Sequence, residues 1–287
     1  MPELPEVQTI VNDLNKNILN KRIKRIDVRL PKIVKGKAKE FQKFLEGNSF
    51  QDIFRRGKSI IIKLVKGRKY LFVHLRMTGQ IIYVNQNKLI AGGHGVKVER
   101  FDLPSKQTHL IIYFQDGSIL FYNDQRQFGY WQIIDNSELE KVQEKLGIEP
   151  LSPEFTLTNF KKLLVKQKGN IKAFLLNQKY IAGLGNIYVD ESLFKSKISP
   201  LRSVPSLSLK EIKRLHQSIK DTLSRAIRYR GTTFNDYVDA QGQKGKFIRF
   251  LKVYQREGQK CLMCSQGIIK KIKVAGRGTR YCPFCQK

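Results

Sequence analysis

The C-terminus holds the stretch that decides the fold of the last module: Cys261-Leu262-Met263-Cys264, then seventeen residues, then Cys282-Pro283-Phe284-Cys285. The 287-residue sequence has no other cysteine. A two-residue spacer lets both thiolates of a pair reach one metal ion, and two pairs complete the tetrahedral sulfur cage that zinc prefers. Two disulfides are unfavourable in a chain without a leader, and four unrelated thiols would not gather here. The pattern predicts one structural zinc ion, because four cysteines leave no open coordination position for chemistry.

The residues between the cysteine pairs predict a β-hairpin. Ile268–Val274 is rich in β-branched side chains, Gly276-Arg277-Gly278 can form a turn, and Thr279-Arg280-Tyr281 can return as the second strand. The chain is therefore predicted to end in a β-hairpin zinc finger that carries basic side chains.

Upstream of this hairpin, apolar residues recur at helical spacing. The turn Ala182-Gly183-Leu184-Gly185 separates two of these segments, and Asn186 is placed to cap the helix that follows. Glycines let the backbone approach a ligand, and a helix N-terminus offers free N–H groups to a phosphate. This indicates a helix-turn-helix with a phosphate site. Helices are predicted over 155–165, 171–177, 188–195 and 209–228.

The N-terminal half predicts one helix followed by strands. Apolar residues at helical spacing give the helix over 5–18, and Asp116-Gly117 is a two-residue hairpin turn between two strands. Several short strands separated by turns favour a β-sandwich of about 130 residues. The polar, proline-bounded segment from Asp135 to Pro153 is the predicted linker. Strands are predicted over 26–30, 59–65, 70–75, 80–84, 110–114 and 118–122.

The charge of the chain points to a polyanionic partner. Lys and Arg number 54 against 24 Asp and Glu, a formal net charge of +30 with a pI near 10.1. Such an excess repels itself in a compact fold unless a polyanion neutralises it, and nucleic acid is the commonest such polyanion. No apolar run is long enough to span a bilayer, and the acidic, proline-bearing N-terminus is not a signal peptide. We expect a cytoplasmic protein without a membrane partner.

The first six residues, Met1-Pro2-Glu3-Leu4-Pro5-Glu6, carry unusual chemistry. Removal of Met1 would leave a free secondary amine on Pro2, which no internal proline offers. An α-amino group titrates near ~7.7 to 8.0, so part of it is an uncharged nucleophile that forms Schiff bases at neutral pH. The alternative is a frayed chain end with no role. The six residues alone favour that alternative, and the rest of the chain reverses it.

Five motifs follow one another along the chain: Pro2–Val7, Arg55–Lys58, His74–Gly79, Gly183–Glu191 and the four cysteines. In this order they resemble the formamidopyrimidine-DNA glycosylase family over essentially the whole chain. The resemblance implies an α+β fold with an N-terminal β-sandwich flanked by helices and a C-terminal helix-two-turn-helix domain ending in the β-hairpin zinc finger. It divides the chain into a catalytic domain (1–135), a linker (136–152), a helical DNA-binding domain (153–246) and the zinc finger (247–287).

The resemblance also implies an activity. Members of the family remove oxidised purines, such as 8-oxoguanine and formamidopyrimidines, from double-stranded DNA and then cut abasic sites by β,δ-elimination. The damaged nucleotide is flipped out, since its C1′ atom cannot be reached inside the stack. Pro2 would attack C1′, Glu3 would shuttle protons at the sugar oxygen, and Lys58 would contact phosphate and assist catalysis. Glu6 would help to orient the site.

Further residues match DNA-contacting positions of the family. Met77, Arg126 and Phe128 would fill the hole left by the flipped base, with Arg126 bonding the orphaned cytosine. The stretch 232–246 would close over the extruded base. One chain carries every element required, so we expect a monomer, associated with the nucleoid. The remaining predicted DNA contacts are His94, Lys168, Asn186 and Arg277.

Two other functions are weighed against this one. The related endonuclease VIII group prefers oxidised pyrimidines, but typically has glycine where this chain has Leu4; Leu4, Arg126 and Phe128 favour the purine branch. A non-catalytic zinc protein that binds damaged DNA would use the same basic surface, but it would have no need of Pro2, Glu3 and Lys58.

Overall fold

The computed structural model describes residues 1–93, 99–232 and 247–287. Two compact units make up the chain, residues 1–144 with 229–248, and residues 145–228 with 249–287. The sequence-based division into four parts stays a prediction. The elements are α1 (Leu4–Asn17), β1 (Ile23–Val28), α2 (Ala38–Leu45), β2 (Phe50–Arg56), β3 (Ser59–Leu64), β4 (Tyr70–His74), β5 (Gly79–Val84), β6 (Leu89–Gly93), β7 (Thr108–Phe114), β8 (Ile119–Asp124), β9 (Tyr130–Ile134), α3 (Asn136–Glu144), α4 (Leu157–Val165), α5 (Ile171–Leu176), α6 (Asn186–Lys195), α7 (Leu209–Arg228), β10 (Lys270–Val274) and β11 (Arg277–Tyr281).

The first unit contains two antiparallel sheets. One has the strand order β1-β7-β8-β5-β6 and the other the order β2-β3-β4-β9. The sequence did not predict the strands β2, β6 and β9 or the helix α2. In β2 only Phe50 and Ile53 are buried among polar and charged residues, and β6 ends in two glycines, so apolar alternation is weak in both.

Both sheets contribute to one core together with α1. Alternate residues of a strand share a face, so each inner strand sends every second side chain into this core. The strands β3 and β4 of the smaller sheet face β7 and β8 of the larger one, and the apolar stripe of α1 packs against the same cluster. The core therefore fixes α1, and with it the N-terminus, on the sandwich. Its members include Val7, Ile10, Val11, Leu14, Ile60, Ile62, Leu71, Val73, Leu110, Ile112, Leu120, Tyr122 and Trp131.

The hairpin between β7 and β8 forms as expected, but its turn differs from the prediction. The backbone N–H of Phe114 donates to the carbonyl of Ser118 at 2.9 Å, so three residues lie between the bonded pair. Gly117 has φ +81°. A three-residue loop with a left-handed third residue is a common hairpin connection, and Gly117 supplies that conformation without steric cost.

The second unit contains α4 to α7 and the terminal hairpin. The predicted helix over 155–165 begins only at Leu157, because Thr156 is the N-cap and its side chain accepts the N–H of Asn159. The predicted cap at Asn186 is wrong: Gly185 is the N-cap, and Asn186 is the first residue of α6. Within the described ranges, no helix is long and apolar enough to cross a membrane.

The terminal hairpin turns one residue earlier than predicted. Val274 pairs with Arg277, so the turn consists of Ala275 and Gly276. Both have positive φ, +50° and +71°, as the two-residue hairpin turn that matches strand twist requires. Arg277 therefore begins β11 instead of lying within the turn.

Candidate active site and nucleic-acid contacts

The N-terminus of α1 holds the predicted catalytic carboxylates. Glu3 is the N-cap, and its backbone N–H donates to Oε2 of Glu6 at 2.9 Å in a capping box. Pro2 is buried, and Glu3 and Glu6 are only 5% and 7% exposed. A carboxylate at a helix N-terminus is stabilised by the helix dipole. The chain therefore does not fray here, and the structure fixes the first residues against the sandwich.

The environment of the terminal amine favours its uncharged form. Burial lowers the pKa of the Met1 α-amino group; the carboxylates of Glu3 and Glu6 raise this pKa, and the cations Lys58 and Arg126 lower it. An amine is nucleophilic only when deprotonated. Loss of Met1 would move the amine by one residue, to Pro2, beside the same charges.

Lys58 lies on the two-residue turn between β2 and β3, where Arg56 pairs with Ser59. Arg55 braces this turn, since its Nε donates to the Gln8 side chain of α1 at 3.1 Å and its Nη1 donates to the carbonyl of Gly57 at 2.8 Å. The turn that carries Lys58 is thus tied to the helix that begins at Glu3 and Glu6.

Glu6 connects the start of α1 to a segment far along the chain. Its Oε1 accepts the backbone N–H of Thr232 at 2.8 Å and the Thr232 hydroxyl at 3.1 Å. Gly231, with φ +77°, packs so closely that a Cβ there would lie 2.6 Å from the same oxygen. Glu6 therefore holds the residue from which the predicted closing loop departs. Residues 233–246 of that loop lie outside the described residues.

The structure brings Met77, Arg126 and Phe128 together. Nη1 of Arg126 lies 3.1 Å from the sulfur of Met77, and its guanidinium carbon lies 4.9 Å from the centre of the Phe128 ring. Met77 is 42% and Phe128 54% exposed, so both apolar side chains lie at the surface beside the Arg126 guanidinium. They lie on two loops, between β4 and β5 and between β8 and β9. This trio forms an exposed apolar and cationic cluster.

Sequence reasoning missed the residue that supports this trio. Asp124, at the end of β8, is fully buried and accepts hydrogen bonds from Thr78, Tyr122 and Gly129. The stretch Tyr122-Asn123-Asp124 could have drawn attention to this residue, because a carboxylate there ends an apolar strand. The sequence does not indicate, however, which groups donate hydrogen bonds to it.

The second unit holds the other described DNA-contact candidates. The amide nitrogen of Asn186 donates to the carbonyl of Gly278 at 2.9 Å, which joins the start of α6 to the hairpin next to Arg277. Arg277 is exposed, and so is Lys168, between α4 and α5. His94 lies outside the described residues.

The four cysteines gather as a metal site requires. All are free thiols, and their Sγ atoms lie within 4.8 Å of one another. The Cys261–Cys285 and Cys264–Cys282 sulfur distances are 3.7 and 3.8 Å. A tetrahedron with metal–sulfur bonds of ~2.3 Å has edges of ~3.8 Å. The backbone N–H of Gly267 donates to Cys264 and lowers its pKa to about 6, which favours the thiolate.

A second feature that the sequence did not predict anchors this hairpin. Nζ of Lys172 donates to Asp190 at 2.6 Å and to the Thr279 hydroxyl at 2.7 Å, with all three side chains buried. Asp190 also accepts the backbone N–H of Arg280 at 3.0 Å. Burial raises the pKa of Asp190 to about 6, opposed by the Lys172 ammonium. The α5 and α6 helices thus hold β11 through one buried ion pair.

Comparison with known proteins assigns the family. The model of the formamidopyrimidine-DNA glycosylase N-terminal domain matches residues 1–131, and that of the formamidopyrimidine-DNA glycosylase H2TH domain matches residues 146–238. The formamidopyrimidine-DNA glycosylase of Pelotomaculum thermopropionicum is 40% identical over 290 residues, covering 100% of this chain and 99% of the relative. The chain belongs to the formamidopyrimidine-DNA glycosylase family. The Carboxydothermus hydrogenoformans member is 41% identical over 288 residues and covers 100% of both chains.

Solved structures of the family support this assignment. The Lactococcus lactis Fpg in complex with DNA containing an abasic site superposes with a TM-score of 0.87 at 36% identity, over 99% of both chains. The Lactococcus lactis Fpg in complex with DNA containing Fapy-dG gives a TM-score of 0.85 at 36% identity, over 99% of this chain and 100% of that one. The predicted α+β fold class is confirmed, and so is the predicted enzyme class, a DNA glycosylase and AP lyase of the formamidopyrimidine type. The endonuclease VIII-like alternative is not favoured.

Proposed function

We propose that this enzyme removes oxidised purines, 8-oxoguanine and formamidopyrimidines, from double-stranded DNA and cuts the resulting abasic sites. The observation that carries the proposal is the partly buried terminal amine: burial and the Lys58 cation lower its pKa, and the carboxylates of Glu3 and Glu6, which raise it, lie near enough to exchange protons with it. Relatives crystallised with abasic-site and Fapy-dG DNA support the substrate class.

Apart from water, the reaction uses only residues of this chain. After loss of Met1, the Pro2 nitrogen attacks C1′ of the flipped nucleotide and passes its N–H proton to the Glu3 carboxylate, while the bond from C1′ to the base breaks and the departing base takes up a proton from water. Glu3 gives a proton to the sugar ring oxygen as the ring opens, which leaves an iminium between Pro2 and C1′. The iminium acidifies the C2′ proton, whose loss expels the 3′ phosphate; a second elimination expels the 5′ phosphate. Lys58 supplies positive charge near the phosphate.

The exposed trio would fill the gap in the duplex. Met77 and Phe128 take the place of the flipped base and keep the stack from collapsing, while the guanidinium of Arg126 bonds the orphaned base. Asn186, Arg277, Lys168 and His94 would hold the DNA strand.

The four-cysteine cluster would hold one structural zinc ion. The sulfur spacing fits a tetrahedral cage, and two of the thiols lie in buried positions of the hairpin core. The ion would fix the hairpin that presents Arg277 and would take no part in catalysis. We further propose that the enzyme acts as a monomer on the nucleoid in the cytoplasm.

Borohydride trapping tests the proposal. Incubation with a duplex containing 8-oxoguanine and borohydride should reduce the iminium to a stable protein–DNA adduct, and Pro2→Gly should lower its yield by at least about 100-fold because the secondary amine is lost. A protein that binds the lesion duplex tightly but neither cuts nor is trapped would be a binding module instead. Faster excision of thymine glycol than of 8-oxoguanine would favour an oxidised-pyrimidine enzyme.

A further inference from the structure

A buried carboxylate joins the two loops that carry the trio. Oδ1 of Asp124 accepts the hydroxyl of Thr78 at 2.5 Å, in the loop that holds Met77. Its Oδ2 accepts the backbone N–H of Gly129 at 2.7 Å, in the loop that holds Arg126 and Phe128. The Tyr122 hydroxyl donates to Oδ2 as well, at 3.2 Å. One side chain therefore fixes both loops.

Thr78 forms a second, direct link between the loops. Its hydroxyl donates to Asp124 and accepts the backbone N–H of Arg126 at 2.9 Å. The Arg126 backbone is thus tied to the residue that follows Met77. Gln127, next along, has φ +56°, a left-handed conformation that costs energy in a residue other than glycine. Such a conformation persists where surrounding contacts impose it, as they do here.

Three donors bond the Asp124 carboxylate, and the surrounding groups leave no room for a side chain at Gly129. A Cβ at Gly129 would lie 1.9 Å from the Tyr122 hydroxyl and 3.0 Å from Oδ2 of Asp124. Burial and the Asp124 charge raise the pKa of Tyr122, so its hydroxyl stays a donor. An asparagine at 124 would offer one acceptor oxygen for three donors and would turn an N–H toward one of them.

We propose that Asp124, acting through Thr78, is a positioning residue that sets the spacing of Met77, Arg126 and Phe128 and thereby the enzyme's discrimination of the base opposite the lesion. The inference rests on the proposed function of the trio as the group that fills the gap. Arg126 can distinguish cytosine from adenine only if its guanidinium is held in place against the orphaned base, because a hydrogen bond weakens steeply with misalignment.

The chain offers a matched control for removal of the Thr78 hydroxyl. The hydroxyl of Thr108, on β7 of the same sheet, donates to the Asn123 side chain at 2.8 Å and accepts the backbone N–H of Ser105 at 2.9 Å. Like Thr78→Val, Thr108→Val therefore removes a hydroxyl that donates to one side chain and accepts one backbone N–H, and it does so without touching either loop. Thr78→Ser keeps the hydroxyl at position 78. Asp124→Asn keeps the volume of the side chain but removes its charge.

The experiment measures single-turnover excision of 8-oxoguanine placed opposite cytosine and opposite adenine. Thr78→Val and Asp124→Asn should lower excision opposite cytosine by about tenfold or more and should bring the cytosine-to-adenine ratio toward one, since a buried bond to a charged group is lost. Thr78→Ser and Thr108→Val should stay within about twofold of the wild type. Borohydride trapping on a single-stranded abasic oligonucleotide, which needs no gap filling, should be equal in all five proteins.

Two results would overturn the inference: a wild-type ratio in Thr78→Val, or an equal loss in Thr108→Val, which would indicate general destabilisation. If either result were found but Arg126→Ala still changed the cytosine-to-adenine ratio, the proposed function of the trio would stand. An Arg126→Ala protein with a wild-type ratio would remove the proposed function of the trio, and a wild-type protein without excision would remove the proposed enzyme function.

Discussion

At the scale of single residues, His74 shows how the site keeps a group neutral. Its Nδ1 accepts the backbone N–H of Arg76 at 3.0 Å, and its ring stacks on Tyr130 at a centroid distance of 6.0 Å. Burial lowers the pKa of His74 to about 4, helped by the cations Arg76 and Lys58. A neutral imidazole is needed, since only a deprotonated ring nitrogen can accept. This bond holds Arg76 at φ +51°, directly before Met77.

The same group predicts an acid-sensitive fold. The unfolded histidine takes up a proton near pH ~6.5, whereas the folded one does so only near pH 4, so stability is lost as the pH falls through this window. His74→Gln keeps an acceptor that does not titrate. Between pH 7.5 and pH 5 the unfolding free energy of the wild type should fall by about 2 kcal/mol more than that of His74→Gln, measured by urea denaturation. Parallel losses in the two proteins would contradict the assignment.

At the scale of elements, α6 organises the second unit. Its first residue, Asn186, bonds the hairpin strand β11 through Gly278, and Asp190 does so through the backbone of Arg280. Directly after Asp190, the buried Glu191 accepts the backbone N–H groups of Lys252, Val253 and Tyr254 at 2.9 to 3.1 Å. A single helix therefore fixes both the hairpin and the segment that leads to it. The four cysteines and Arg277 share this support.

Removal of Lys172 should break that arrangement. Lys172→Met leaves the buried Asp190 carboxylate without its cation and should cost about 3 to 5 kcal/mol of unfolding free energy. The double variant Lys172→Met, Asp190→Leu removes both charges and should recover much of this loss, because the desolvation penalty disappears with the pair. Denaturant unfolding of the full chain gives both values. A single variant as stable as the wild type would show that the pair carries no stability.

At the scale of the whole molecule, the dominant property is the excess of positive charge. A formal net charge of +30 on 287 residues gives strong, salt-dependent attraction to any polyanion, and only some of these cations contact a bound strand. Each phosphate neutralised in a specific contact releases counterions, so contacts can be counted from the salt dependence of binding.

We expect Arg277 to make one of the phosphate contacts that the salt dependence of binding reveals. Arg277→Ala should weaken binding to a lesion duplex and lower the slope of log K against log salt by about 0.9, the value for one phosphate. Arg68, exposed on the turn between β3 and β4, supplies the matched control, because Arg68→Ala removes an equal charge from a position without a proposed contact. Binding isotherms at several salt concentrations measure both. An identical slope for the two variants would take Arg277 off the list of phosphate contacts.

The sequence alone predicted features that depend on local spacing or on chain position. The two cysteine pairs indicate a metal cage because each spacer by itself sets the reach of two thiolates. Pro2 and Glu3 indicate amine chemistry because only a chain start can expose a proline nitrogen. The helix over Leu209–Arg228 was predicted with its bounds, since a long amphipathic stripe carries its own period.

Only the tertiary structure decided which polar groups meet. Asp124 gathers its donors from three strands or loops, Glu6 meets Thr232 across 226 positions, and Lys172 meets Thr279 across 107. Asn186 failed as a predicted cap because α6 begins at Asn186 itself, one residue after the N-cap Gly185, and its side-chain amide nitrogen donates to the carbonyl of Gly278 instead. A buried polar group must find a partner wherever the fold provides one, and sequence distance places no limit on that choice. The sequence therefore predicted the candidate catalytic residues, whereas the residues that hold these candidates in place became visible only in the fold.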